Sequence, residues 1–295
     1  MQSRIKHVME NKVNYYNIIK RAISFDRSKY PRVILISMPK SGTHLIERPL
    51  LELGFVKKFF VYYQTADRAN DEDTIPVGIV SPRMRSYKEV RHLFSKVKTK
   101  EFAIGHLPYS NKAYALLNEL NFKKILILRD PRDVVVSQFF WINNPAHPFY
   151  SYISKIENAE EQLMVCIKGW SSEEIGSSDS LFLGIADKIK LILPWISDPH
   201  CLVVRFEDLI GPRGSGNVEN QKSTLRKLCT HLNLSLSDEK IENVAARVFD
   251  TSTKTFREGR IAGWKKHFTS LHVDEFKASA GSFLIDLGYE KNFNW

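Results

Sequence analysis

Val33-Ile34-Leu35-Ile36-Ser37-Met38-Pro39-Lys40-Ser41-Gly42-Thr43 is the stretch on which the fold turns. Its first half, Val33 to Ser37, is a short β-branched run bounded by Pro31 and Pro39. An apolar run of that length between turn residues reads as a buried strand. The second half is rich in turn residues. After it, residues 44–55 (HLIERPLLELGF) place apolar side chains at helical spacing up to Gly54, a plausible C-cap. Pro49 inside them predicts a kink or an early interruption. A strand, a glycine-containing turn and a helix in succession gather several backbone N–H groups at one helix N-terminus. That arrangement binds phosphate or sulfate oxygens. Lys40 adds a point charge there, and Ser41 and Thr43 add hydroxyl donors. The order is not G-x-x-x-x-G-K-[ST], because the lysine precedes the glycine and the first glycine is missing. An ordinary ATP-binding loop is therefore disfavoured. Read alone, the stretch is equally compatible with a strand-to-helix turn that holds no ligand.

Working outward, a second unit of the same kind follows. Lys124-Ile125-Leu126-Ile127-Leu128 reads as a strand, Arg129-Asp130-Pro131-Arg132-Asp133 as a charged turn, and Val134 to Trp141 as the start of a helix with Pro131 near its entry. Arg129 stands at a strand end, where open α/β sheets bind ligands. Ser137 lies eight residues on, so an arginine and a hydroxyl can reach one phosphate. Asp130 and Asp133 can pair with Arg132 or cap the helix. The bland alternative is a capped turn with surface ion pairs. A third strand, Cys201 to Phe206, precedes Glu207-Asp208-Leu209, and residues 211–217 (GPRGSGN) read as a surface loop. Residues 221–232 and 237–249 read as amphipathic helices, and residues 1–30 have mixed helical character. Strands alternating with helices predict an α/β fold: a parallel β-sheet flanked by helices. Repeats, low-complexity tracts and linkers are absent, so residues 1–295 are read as a single domain.

The composition is that of a folded protein, with 43% hydrophobic and 26% charged residues among 295. The formal net charge of +10 favours an anionic partner. Nucleic acid is not expected, because the basic residues are dispersed apart from a modest cluster at Lys96 to Lys100. Cys166, Cys201 and Cys229 form no C-x-x-C pair, which argues against a disulfide framework or a cysteine zinc site and for a reducing compartment. The first residues lack the apolar stretch of a signal peptide, and no window approaches the ~20 apolar residues of a membrane span. The expected location is cytoplasmic, away from any membrane.

A third motif, Phe256-Arg257-Glu258-Gly259-Arg260-Ile261-Ala262-Gly263-Trp264-Lys265-Lys266-His267-Phe268-Thr269, brings glycines, arginines and lysines close together. Such a loop can surround an anion with backbone and guanidinium donors, or it can be a basic surface loop. Taken in order, the three motifs resemble the sulfotransferase family that uses 3′-phosphoadenosine 5′-phosphosulfate (PAPS), especially its soluble small-molecule branch. PKSGT looks like that family's 5′-phosphosulfate loop, RDPRDVVVS like its 3′-phosphate motif, and REGRIAGWKKHFT like its C-terminal R-x-G-x-x-G-x-W-K-x-x-F-T segment. The likeness runs from about residue 31 to the C-terminus, with residues 55–100 poorly matched.

The resemblance implies a P-loop-like sulfotransferase fold and assigns roles. Lys40 contacts the phosphosulfate and stabilises charge on the leaving oxygen. Ser41, Gly42 and Thr43 cradle the phosphate. Arg129 and Ser137 hold the 3′-phosphate, as do Arg257 and the backbone near Gly259; Glu258 belongs to the cofactor-binding set, and Trp264 and Lys265 shape the same end of the site. His106, before Leu107-Pro108, matches the family's catalytic base, and a neutral imidazole suits that task near pH 7. No metal is required, and adenosine 3′,5′-bisphosphate (PAP) is the product. Several positions depart from the pattern. Ile104 stands where relatives often have a lysine, and His44-Leu45 where many have a hydroxyl residue and a tryptophan. Phe206 replaces the tyrosine of a Tyr-Glu-Asp stretch, and Ala262-Gly263 suggests a one-residue shift. His44 is a candidate contact to phosphosulfate or acceptor.

The acceptor pocket is expected from residues 59–95, 141–155 and 171–182, whose aromatics include Phe59, Phe60, Tyr62, Tyr63, Tyr87, Phe139, Trp141, Phe149 and Tyr150, although most such residues are usually core. Asp71, Glu72 and Asp73 can attract a cationic acceptor or simply be solvated. The expected acceptor is a specialised-metabolite alcohol or amine, with steroid-like or phenolic compounds second. Two rivals differ in kind: a P-loop-type nucleotide kinase, and a non-enzymatic binder of nucleic acid or another polyanion. The family's short C-terminal dimer motif is not evident near WKKHFTSLHVDEF, which leaves the oligomeric state open.

Overall fold

The computed structural model describes residues 30–63, 73–171, 181–249 and 258–295. Residues 1–29, read as helical in character, Asp71 and Glu72, and Arg257 lie outside the described residues. In chain order the strands are β1 (Arg32–Ser37), β2 (Val56–Phe60), β3 (Thr74–Val77), β4 (Arg83–Ser86), β5 (Glu101–Gly105), β6 (Phe122–Leu128), β7 (Gly169–Trp170), β8 (Phe182–Leu183) and β9 (Cys201–Arg205). Five of them form one sheet in the order β2-β5-β1-β6-β9. Every pairing in it is parallel. The remaining four make two antiparallel pairs, β3 with β4 and β7 with β8.

The sheet is buried on both faces, as an all-parallel sheet must be when helices cover it. The period-2 alternation of β1 sorts its side chains between two cores. Val33 and Leu35 face the helices Thr43–Glu52, Val218–His231 and Asp238–Val248. Ile34 and Ile36 face Pro131–Ile142, Ala159–Lys168, Ile185–Ile192 and Ser270–Asp286. Because the five strands run the same way, their C-terminal ends share one edge. Ser37, Phe60, Gly105, Leu128 and Arg205 all end there.

The three strands read from apolar runs stand where expected, with β9 ending at Arg205. Phe206 instead opens the short helix Phe206–Leu209. Pro49 sits inside Thr43–Glu52 without ending it. Residues 211–217, read as a surface loop, contain a tight turn, Pro212–Gly214, whose Gly214 is buried. The three cysteines are free, with Cys166 and Cys229 packed as small core residues.

Candidate active site

At the shared strand edge the chain leaves β1 and turns sharply. Ser41 N–H donates to Met38 O at 3.1 Å, and Lys40 adopts φ +75°. Gly42, with φ +107°, caps the helix Thr43–Glu52. A Cβ on Gly42 would come within 2.7 Å of the Phe206 ring, so backbone angle and close packing both demand glycine. Phe206 is thus the floor of the turn, which is what the ring does where a tyrosine was expected. The Ser41 hydroxyl faces inward, donating to Met38 O at 2.8 Å and Ile127 O at 3.3 Å. It ties the turn to β6.

The second motif divides its labour. Arg129 lies over Phe206, 4.1 Å from the ring centre, and donates to Arg260 O at 3.0 Å and to Lys40 O at 3.4 Å. It therefore bridges all three motifs. Arg132 is structural: Asp130 and Glu290 hold it at 2.7 and 2.6 Å, between the rings of Trp264 and Trp295. Asp130 also caps the helix by accepting from Arg132 N–H. Asp133 pairs with neither Arg132 nor its own helix end. Its carboxylate accepts from Ala262 N–H at 3.0 Å and Trp264 N–H at 2.8 Å, pinning the third motif onto the second. Burial nonetheless raises the Asp133 pKa, against the pull of Arg129. The αL conformation of Ala262 accompanies this docking.

A cavity of about 810 Å³ opens over this edge, within the roughly 300–1,000 Å³ range of small-molecule sites. Lys40, Gly42, Thr43, His44, His106, Arg129, Ser137, Glu258 and Gly259 all line it. Trp264 and Lys265 do not: Trp264 is buried beneath Arg132, and Lys265 lies exposed above the Trp264 ring. Of the aromatics proposed for an acceptor pocket, Phe60, Tyr62, Trp141 and Phe149 line the cavity. Phe59, Tyr87 and Phe139 pack against the core instead. Asp73 is exposed and paired with Lys112.

His106 leaves the end of β5 with its Nδ1 2.7 Å from Ser37 O and 3.2 Å from Ser37 Oγ. A carbonyl only accepts, so Nδ1 carries the proton and Nε2, on the opposite ring edge, carries the lone pair. Burial pushes the His106 pKa down to about 4, which keeps the ring neutral. Ser37 Oγ also meets Thr43 Oγ1 at 2.9 Å, so one hydroxyl joins the histidine to the anion-binding turn. His44 pairs with Glu47 at 3.0 Å, and Lys57 reaches the same carboxylate at 2.8 Å. Burial opposes charge on Glu47, but the hydrogen bonds from His44 and Lys57 bring its pKa below the ordinary value. Phe60 lies between the two histidines, 6.4 Å from His44 and 6.1 Å from His106.

Residues missed in the sequence stand behind the turn. Gln138 donates to Pro39 O at 3.2 Å and accepts from Lys188 Nζ at 2.6 Å. Lys188 is wholly buried, and burial lowers its pKa to about 7. Neither residue belongs to a short motif, so no local pattern marks them. Among the described residues, no cluster of three or more His, Cys, Asp and Glu side chains could hold a metal ion. Nor is any helix among them long and apolar enough to cross a membrane.

Comparison with known proteins identifies a family and a fold. The family described as "Sulfotransferase domain" matches residues 30–254. Sulfotransferase 6B1 of Danio rerio is 25% identical over 172 residues, 52% of this chain and 50% of that protein. The 3-beta-hydroxysteroid sulfotransferase of Cavia porcellus is 25% identical over 82% of this chain and 80% of its own length. Among solved structures, mouse sulfotransferase SULT7A1 complexed with PAP superimposes with a TM-score of 0.60 at 17% identity, covering 88% of this chain and 87% of that one.

Proposed function

The chain belongs to the sulfotransferase domain family, and on that premise we propose that it moves a sulfuryl group from PAPS to a hydroxyl or amine of a small-molecule acceptor. The observation that carries the reading is a convergence. Three sequence motifs meet through Arg129 and Asp133 around one cavity, and a neutral histidine faces it.

PAPS lies with its 5′-phosphosulfate over the Lys40–Thr43 turn and its 3′-phosphate near Arg129, Ser137 and the backbone at Gly259. Its base rests against the apolar wall that includes Leu45, Leu51 and Phe249, which takes the place of a stacking tryptophan. The acceptor lies on the wall formed by Phe60, Tyr62 and Phe149. The reaction is an in-line displacement at sulfur. As the acceptor oxygen or nitrogen bonds to sulfur, its proton passes to His106 Nε2. The bond from sulfur to the bridging oxygen breaks, and that oxygen leaves on PAP with the electron pair. Lys40 and the helix N-terminal N–H groups neutralise the developing charge without reorganising, which is electrostatic preorganisation. Ile104 is fully buried and supplies no second cation, so Lys40 acts without the lysine expected at that position.

Thermal unfolding with PAP, with ADP and without ligand, all free of magnesium, tests the donor site. A native-state ligand at about 100 times its dissociation constant adds roughly 2.7 kcal/mol. A clear shift with PAP and little with ADP is expected. Equal shifts, or a preference for ADP, would replace this reading with a nucleotide kinase.

A further inference from the structure

We propose that Arg83 binds an anionic group on the acceptor, so that the substrates are hydroxy acids with an apolar body; this rests on the sulfotransferase reading above. The argument starts from strand register. In the β3–β4 hairpin, Ile75 pairs with Arg85, Pro76 with Met84, and Val77 with Arg83. Directly paired residues of an antiparallel ladder point to the same face. Ile75 and Val77 are fully buried, whereas Met84 is 52% exposed. Arg83 therefore projects inward.

The hairpin is also fixed to the proposed base. Gly78, which follows Val77, donates its N–H to His106 O at 2.8 Å. Arg83 lies directly across from Val77, so it enters the site one residue from that anchor. It lines the same cavity as His106 and is half-buried. Among the described residues, the Arg83 side chain has no hydrogen bond or ion pair.

Charge balance around the cavity isolates this guanidinium. Lys57 is matched by Glu47 at 2.8 Å. Lys40 and Arg129 stand at the turn where the phosphosulfate and 3′-phosphate bind. Arg83 lines the same cavity, and among the described residues no carboxylate pairs with it. A half-desolvated guanidinium is favourable once an anion pairs with it, and its planar fork matches a carboxylate bidentately. Phe60, Tyr62, Phe149 and Tyr152 supply apolar surface in the cavity that Arg83 and His106 share. The acceptor that satisfies all three carries a hydroxyl at one end, an aromatic or alicyclic body, and a carboxylate at the other.

Calorimetric titration of the PAP-loaded protein with 4-hydroxyphenyl alkanoates of increasing chain length, each beside its primary amide, tests this. At least one acid should bind about tenfold or more tightly than its amide, the worth of a charged hydrogen bond. Arg83→Gln should bring that ratio close to one, and Arg83→Lys, which keeps charge without the fork, should give an intermediate ratio. A ratio near one across the series in the wild type, no binding of any acid, or a ratio unchanged in Arg83→Gln would overturn the proposal. PAP affinity from the same titrations separates the two readings. PAP binding without acid preference removes only the anionic acceptor, whereas failure to bind PAP removes the sulfotransferase reading itself.

Discussion

Ser37 sets the tautomer of His106 and links it to the turn. The Ser37 carbonyl fixes the tautomer by accepting from Nδ1–H, and the hydroxyl links the ring to Thr43. In the sequence the Leu-Pro pair singles out His106; nothing marks Ser37, which reads only as the last residue of a strand. Burial has a kinetic consequence. The ring acts as a base only when neutral, and its pKa is pushed from 6.5 down to about 4. Activity therefore falls as pH drops through about 4, and the acid limb of kcat/KM, which reports the free enzyme, should lie there. A limb near pH 6.5 would show an unperturbed imidazole and contradict this placement. Ser41 was misjudged for a related reason: a hydroxyl within an anion-binding motif can point to ligand or to core, and only the fold decides between them.

Elements meet in pairs that no local pattern reveals. The helix Pro131–Ile142 holds the third motif through Asp133, across more than a hundred residues of chain. It also steadies the Lys40 turn through Gln138, which Lys188 supports from a buried position. Asp133→Ala would leave the N–H groups of Ala262 and Trp264 without their acceptor. Its expected cost is roughly 1–3 kcal/mol of stability, with weakened PAP binding because Gly259 loses its anchor. Melting and PAP titration of this variant check both effects. Unchanged PAP affinity would detach the third motif from the donor site. The strands that sequence revealed most clearly, β1, β6 and β9, are continuous apolar runs between turn residues. The charged segment Val56–Phe60 (VKKFF) and the short run Glu101–Gly105 (EFAIG) lack that signature, yet they complete the sheet beside β1. Strand pairing and helix cover, which are tertiary, decide such segments.

On the scale of the whole molecule, parallel strand direction places the ends of β1, β5, β6 and β9 on one edge, and the cavity opens there. The +10 charge of the chain suits a polyanionic donor without a concentrated basic tract. The α/β architecture was therefore readable from ordered motifs, and the same motifs line the cavity at the strand edge. The aromatic wall of the cavity comes from segments the sequence did offer, 59–95 and 141–155, but which of their aromatics line it and which pack in the core was not readable, because the hairpin β3–β4, the end of β2 and residues 146–152 share no pattern. The most direct measurement follows sulfur-35 from labelled PAPS into a panel of hydroxyl and amine acceptors, including the hydroxy acids above. Label should move to an acceptor with matching release of PAP in the wild type, and the transfer should fall by about 10²–10⁴-fold in His106→Ala while PAP still binds. Bound PAPS with no transfer to any acceptor, or transfer undiminished in His106→Ala, would contradict the account.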